Sequence, residues 1–220
     1  MKLDAEQIAH AALDLLDEHG LDGLSMRVVA KRLGVQAAAL YWHLKNKQEL
    51  LDAMAAIVLT EAIEGLESPR AGEGWAAWLA TTTRRLRAAM LAHRDGARVV
   101  AGTNVAHPEV FRLTELTLRT LQDAGFPPDE AARGFPILLH FTIGFTIEEQ
   151  ARAGLEYDVN PYRPDRLDTL VDAGRFPLTA GMIGKLFDPD TDAGFEHGLE
   201  VILAGLAARR AVDGKPETVL

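Results

Sequence analysis

The chain has 220 residues, of which 48% are hydrophobic, no cysteine, and a net charge of −9. That apolar content suffices for a packed core, and the missing cysteines exclude disulfides, cysteine-ligated zinc and a thiol nucleophile. No apolar run reaches the ~18 residues needed to cross a bilayer, and Met1 to Glu6 lacks a basic-then-apolar leader, so a cytoplasmic protein without membrane contact is expected.

Taken in chain order, Asp4 and Gln7 form a capping pair, and Ile8, Ala12, Leu15 and Leu16 then recur at helical spacing until His19-Gly20 supplies a stop. Ser25 can cap a short second helix carrying Val29 and Leu33, which Gly34 breaks, and a third short segment is expected from about Gln36 to His43. Asn46 with Glu49 opens a long fourth helix, apolar at Leu50, Leu51, Met54, Ile57 and Val58. The stretch from Glu67 to Gly72 interrupts the pattern and marks the domain junction.

Helical patterns follow at roughly 73–93, 108–124, 128–154 and 193–210, separated by breaks such as Gly125-Phe126-Pro127-Pro128, and no alternating strand intervenes. The loop through Asp158 to Pro164, with only a faint helical pattern after it, is expected to be mobile or to face a partner. The expected architecture is therefore all-α: a three-helix helix-turn-helix domain at 1–48, a connecting helix at 49–66, a larger helical domain at 67–210 and a disordered tail at 211–220. Phe135, Ile137, Leu138, Leu139, Phe141, Ile143, Phe145 and Ile147 are too continuous for a helix wetted on one side. Phe195, Leu199, Ile202, Leu203 and Leu206 add an amphipathic stripe. Both fit either a dimer interface or the core of a single chain.

The charge is unevenly placed. From Leu24 to Lys47 there are five basic residues and no acidic one, leaving 18 basic against 32 acidic residues, or −14, elsewhere. Two short helices can present one of them to DNA only if they cross closely, which requires a small residue at the crossing, a turn residue tolerating a left-handed backbone and a buried aliphatic on the second helix. Ala30, Gly34 and Leu40 supply these in order, a spacing an ordinary helical hairpin would also satisfy. The flanking chemistry strengthens the DNA reading. Arg27, Tyr41, Lys45 and Lys47 can donate to phosphates, and Asn46 caps a helix whose N-terminal amides favour an anion. Ser25, Trp42 and His43 complete the DNA-facing set, although for Trp42 a core position bridging to the first or fourth helix is equally open.

These residues resemble the tetracycline repressor family. The resemblance is carried by Leu13 to Leu16, Gly20 to Ser25, Leu33 to Val35, Leu40 to Lys47 and Leu50 to Ala53, and it continues towards the tetracycline-responsive branch in His93 to Ala97, Gly102-Thr103, Gly125-Phe126, His140 to Gly144, Glu148 to Gln150 and Phe195 to Glu200. Residues 155–190 are its thinnest part. The resemblance implies a homodimer that binds palindromic, double-stranded operator DNA, pairs its subunits through a C-terminal helix bundle, and changes the spacing of its two reading heads when a small-molecule effector binds. It also makes Met26, Arg27, Gln36, Ala37, Ala38 and Ala39 the base-reading set, in which Arg27 is the candidate for bidentate contact to guanine and the alanines offer thymine-methyl contacts at most.

In the tetracycline-responsive proteins the drug arrives chelated to a divalent cation held by a histidine just before the glycine-threonine pair, where Val100 stands here. Ile63 replaces another histidine, Thr82 an asparagine, Leu86 a phenylalanine, Val105 a proline, and Asn104 an arginine. Thr103 and Glu148 keep the outer polar positions, but without an imidazole no metal or other cofactor is expected. The expectation is a mostly apolar effector held by Ile63, Leu86, Val100, Val105 and Leu116 and oriented by Thr103, Asn104, Thr117 and His140, with Thr82 and Glu148 nearby. His140 fits a buried, satisfied core histidine equally well.

An enzyme would need an acid-base or metal pair. His140 with Glu148 or Glu149 on one straight helix would lie about 12–13.5 Å apart, too far for either, and no nucleophile elbow, phosphate loop or His-Glu-x-x-His pattern is present. Two non-enzymatic alternatives stay open: a DNA-binding architectural protein without an effector, and a tetracycline-type drug sensor.

Overall fold

The structure, a computed structural model, describes residues 3–103, 105–153 and 164–210. Among them the regular elements are all helices: α1 (Ala5–Gly23), α2 (Met26–Arg32), α3 (Ala37–Leu40), α4 (Lys47–Ile63), α5 (Trp75–Leu91), α6 (Gly96–Val100), α7 (Pro108–Asp123), α8 (Pro128–Ala153), α9 (Pro164–Leu170), α10 (Pro177–Leu186) and α11 (Thr191–Ala208). Asn104, most of the loop at 158–164 and the tail at 211–220, for which expectations were given, lie outside the described residues. No helix among the described residues is long and apolar enough to cross a membrane.

The local signals act where the sequence places them. The Asp4 carboxylate accepts the Gln7 amide at 2.8 Å, the Asn46 side chain accepts the Glu49 amide at 2.9 Å, and Glu49 reaches back to the Lys45 amide at 2.7 Å, satisfying donors that a helix start leaves free. Gly20 interrupts α1 with φ of 71°. The third helix is shorter than expected, ending at Leu40 rather than His43. Leu44 has to turn inward to be buried, and Asn46 has to be extended to cap α4, so the chain leaves helical geometry in between.

Two apolar clusters organise the fold. One gathers α1 to α4 with Met90, Ala97, Val99 and Val100. The other gathers the end of α4 with α5, α7, α8 and α11 around Leu79, Leu86, Leu121, Leu138 and Phe195. Leu59 of α4 and Ala89 of α5 pack against both. Helix α4 touches α1, α5, α6 and α7, so it is the strut between head and body. The carbonyls at its C-terminus and in the turn that follows are held by arginines of the body: Arg85 donates to Glu64, and Arg112 to Leu66 at 2.5 Å and Ile63 at 3.3 Å.

One helix, α6, was not anticipated, and two, α9 and α10, stand where the sequence shows only a faint helical pattern. Helix α6 is created by a turn at Asp95, whose φ of 57° is the one positive value outside glycine among the described residues. Helices α9 and α10 pack mainly on each other. Leu178, Met182 and Leu186 of α10 are exposed and only Ile183 is buried, so its pattern gives no inward stripe to read.

Candidate nucleic-acid interface and effector region

The head is built on the turn between α2 and α3. The Ser25 hydroxyl accepts the Val28 amide. At the other end of α2, Gly34 adopts φ of 67°, its amide donates to Lys31 and the Val35 amide donates to Ala30, the paired bonds that close a helix through a left-handed residue. Ala30 and Leu40 are buried at the crossing, which fixes α3 against α2.

This frame sorts the predicted DNA-facing residues. Arg27, Gln36, Ala38, Tyr41, His43, Lys45 and Lys47 are exposed, Ser25, Ala37 and Ala39 are half-buried, and Trp42 is 89% exposed. A core role for Trp42 is therefore ruled out. Met26, grouped with the base-reading residues, is instead 5% exposed and packed in the head core, because it occupies the inward position of the first turn of α2. Arg27, Lys45 and Lys47 carry no ion pair among the described residues, whereas Arg32 is neutralised by Glu18. Gln36 makes no side-chain capping bond. Exposed cations without an ion pair among the described residues, on the same small domain as an exposed indole and phenol, supply the electrostatic and stacking chemistry suited to a phosphate backbone.

The predicted effector residues are not gathered in one cluster. Ile63, Leu86 and half-buried Leu116 belong to the body core, while Val100 and half-buried Val105 pack with the head core. The Thr82 hydroxyl donates to the Trp78 carbonyl, Thr117 to Leu113 and Thr103 to Val100, at 2.7–3.0 Å, so each already has a partner for its proton. His140 is exposed, which removes the buried-core reading. Glu148 is exposed and lies 3.7 Å from Arg152. It lines a cleft of about 260 Å³ with Phe141, Gly144, Phe145, Glu149 and Thr191.

Sequence reasoning missed the ionic centre beside that cleft. Arg87 of α5 meets Glu149 of α8 and Asp192 of α11, the latter at 2.7 Å, and its guanidinium lies 4.7 Å from the Phe195 ring. Thr191 adds a hydroxyl bond to Glu149 at 2.6 Å. Burial disfavours the charged guanidinium, but the hydrogen bonds and charges of the two carboxylates outweigh it and hold Arg87 above the ordinary arginine value. Nearby, the Arg84 hydrogen bonds hold Glu196 below the usual carboxylate range. No local motif marks these partners, which lie 42 or more residues apart.

Comparison with known proteins agrees with this geometry. Residues 8–54 match the family described as bacterial regulatory proteins, tetR family, and residues 68–210 match the tetracyclin repressor-like C-terminal domain. The tetracycline repressor protein class A from transposon 1721 of Escherichia coli is 42% identical over 211 residues, covering 96% of this chain and 94% of that protein. The structure of ActR from Streptomyces coelicolor in complex with actinorhodin matches with a TM-score of 0.85 and 34% identity, covering 96% of this chain and 100% of that one. TetR(class A) in complex with 5a,6-anhydrotetracycline and magnesium matches with a TM-score of 0.67 and 36% identity, covering 94% and 100%. The chain belongs to the tetR family of bacterial regulatory proteins, a family of DNA-binding transcriptional regulators.

Proposed function

We propose that the protein is a ligand-responsive transcriptional repressor that binds a palindromic operator as a homodimer and is released by a mostly apolar small molecule without a metal. The observation that carries the DNA half is the head itself, which exposes Arg27, Lys45 and Lys47, without an ion pair among the described residues, together with Tyr41 and Trp42. Dimerisation is supported by apolar surface left uncovered on the helices expected to pair subunits, with Ile137 of α8 and Val201 of α11 exposed in the single chain.

The effector half rests on the side chains available. Val100 is aliphatic and cannot ligate a cation, Glu148 faces Arg152, and Ile63, Leu86 and Leu116 offer hydrocarbon. That set favours a polycyclic, weakly polar molecule over a metal chelate, and the likeness to the actinorhodin complex is in keeping with it.

Thermal-shift screening tests this reading: a polycyclic aromatic compound that raises the midpoint should also release the protein from the DNA flanking its coding sequence. Tetracycline sensing is the second reading, favoured by the 42% identity to the class A repressor. Magnesium-dependent tetracycline binding at micromolar strength would select it instead.

A further inference from the structure

We infer that Gln150 is a positioning residue that sets where the reading head stands relative to the body. It acts through the corner between α5 and α6. This rests on the DNA-binding reading only for its consequence, not for its structural content.

The corner is grasped from one side by a single side chain of α8. The Gln150 carbonyl accepts the Ala97 amide at 3.1 Å, and its amide nitrogen donates to the Met90 carbonyl at 3.0 Å and the His93 carbonyl at 2.8 Å. One half-buried glutamine thus bonds the last turn of α5, the turn at His93 and the first turn of α6 together, taking the Ala97 amide and adding a second donor to the Met90 and His93 carbonyls, which already accept the His93 and Gly96 amides.

From the other side the corner is grasped by α1. Asp17 accepts the Arg94 amide at 2.8 Å and lies 3.2 Å from the His93 ring nitrogen. Asp95 accepts the Leu21 amide at 2.9 Å, Arg98 bridges Asp95 and Asp22, and the Arg94 guanidinium reaches the Glu18 carbonyl. Glu18 in turn pairs with Arg32 at the end of α2. A continuous set of polar contacts therefore runs from α8 through the corner and α1 to the helix-turn-helix.

The corner between the two grips has little freedom. Asp95 holds φ of 57°, a conformation tolerated only when its surroundings enforce it. A Cβ at Gly96 would lie 2.2 Å from the Met90 carbonyl, and one at Gly20 would lie 3.0 Å from the Asp95 carboxylate. A corner packed this closely cannot shift on one face and stay fixed on the other.

The test uses the full chain and hydrogen exchange resolved to individual amides. Gln150→Leu should speed exchange at Ala97 and also, by about tenfold, at Arg94 and Leu21, whose bonds belong to α1. Gln150→Glu keeps the acceptor for Ala97 but loses both donors, and should fall between wild type and Gln150→Leu; it also serves if the leucine variant does not fold. Coupling is reciprocal, so Asp17→Ala, which removes the acceptor for the Arg94 amide, should speed exchange at Ala97. Exchange raised at Ala97 alone, with Leu21 and Arg94 unchanged, would overturn the inference and leave Gln150 a local tie.

A second measurement reads the consequence. A duplex selected by the wild-type protein from a random library demands a fixed spacing of two heads, whereas a mixed-sequence duplex at low salt does not. Gln150→Leu should weaken binding to the selected duplex at least tenfold and leave the mixed duplex within about twofold. Equal effects on both would also overturn it. A wild-type protein that binds neither duplex would instead defeat the DNA-binding reading, while the exchange result would stand by itself.

Discussion

Arg87 and Glu149 are joined by two hydrogen bonds, Nε to one carboxylate oxygen at 3.1 Å and Nη2 to the other at 2.7 Å, with their side chains only 11% and 14% exposed. A fork-to-fork pair in this setting is stabilising only while both members are present, because without Glu149 the little-exposed Arg87 keeps only Asp192, whose side chain is 82% exposed. Glu149→Ala should therefore lower unfolding free energy by about 3 kcal/mol in urea titration. Arg87→Met with Glu149→Leu together should recover much of that loss. A double variant as unstable as the single would refute the pairing argument.

The Arg84 and Glu196 pair behaves differently because it is half exposed. Glu196 is held below the usual carboxylate range by its hydrogen bonds from Arg84. A carboxylate with a lowered folded-state pKa stabilises the protein above its ordinary value, and the contribution is lost as pH falls through the lowered one. Glu196→Gln should thus be slightly less stable than wild type at neutral pH, and the difference should vanish on acidification below the carboxylate range. Parallel stability curves for the two proteins across that window would contradict the assignment.

On the reading head, stability and DNA binding should separate. Trp42 is 89% exposed, so Trp42→Ala should change unfolding free energy by no more than about 0.5 kcal/mol, while weakening binding to duplex DNA. Lys47→Ala should weaken all duplexes alike and reduce the slope of log affinity against log salt by about 1. Arg27→Ala should instead lose discrimination between the selected duplex and its single-base variants. Equal loss on specific and random duplex would remove Arg27 from the base-reading role.

Two glycines should respond to alanine for different reasons. Gly34 has φ of 67° with open space where a Cβ would go, so Gly34→Ala carries only the backbone penalty, about 1–2 kcal/mol. At Gly96 a Cβ would strike the Met90 carbonyl, so Gly96→Ala must rebuild the corner between α5 and α6. Circular dichroism melts should show a modest shift for the first and a loss of the cooperative transition, or a much larger shift, for the second.

What the sequence determined alone is what short-range physics controls. The caps at Asp4, Ser25 and Asn46, the left-handed turn at Gly34, and the helical spacing from Ile8 to Leu16 each depend on residues within a few positions of one another, and each is found where the sequence places it. The acid-free basic tract could likewise be read directly, because exposed charge needs no tertiary partner. Periodicity could not decide which way a given residue faces when its helix is short or apolar on several sides. Met26 turned inward, Trp42 and His140 turned outward, and Val100 joined the head core rather than the cluster holding Ile63 and Leu86. Partners distant along the chain were invisible for the same reason. Arg87 with Glu149, Asp17 with Arg94, and Gln150 with Ala97 meet only because the packing of α1, α5, α6 and α8 brings 53 to 77 residues of intervening chain back upon itself.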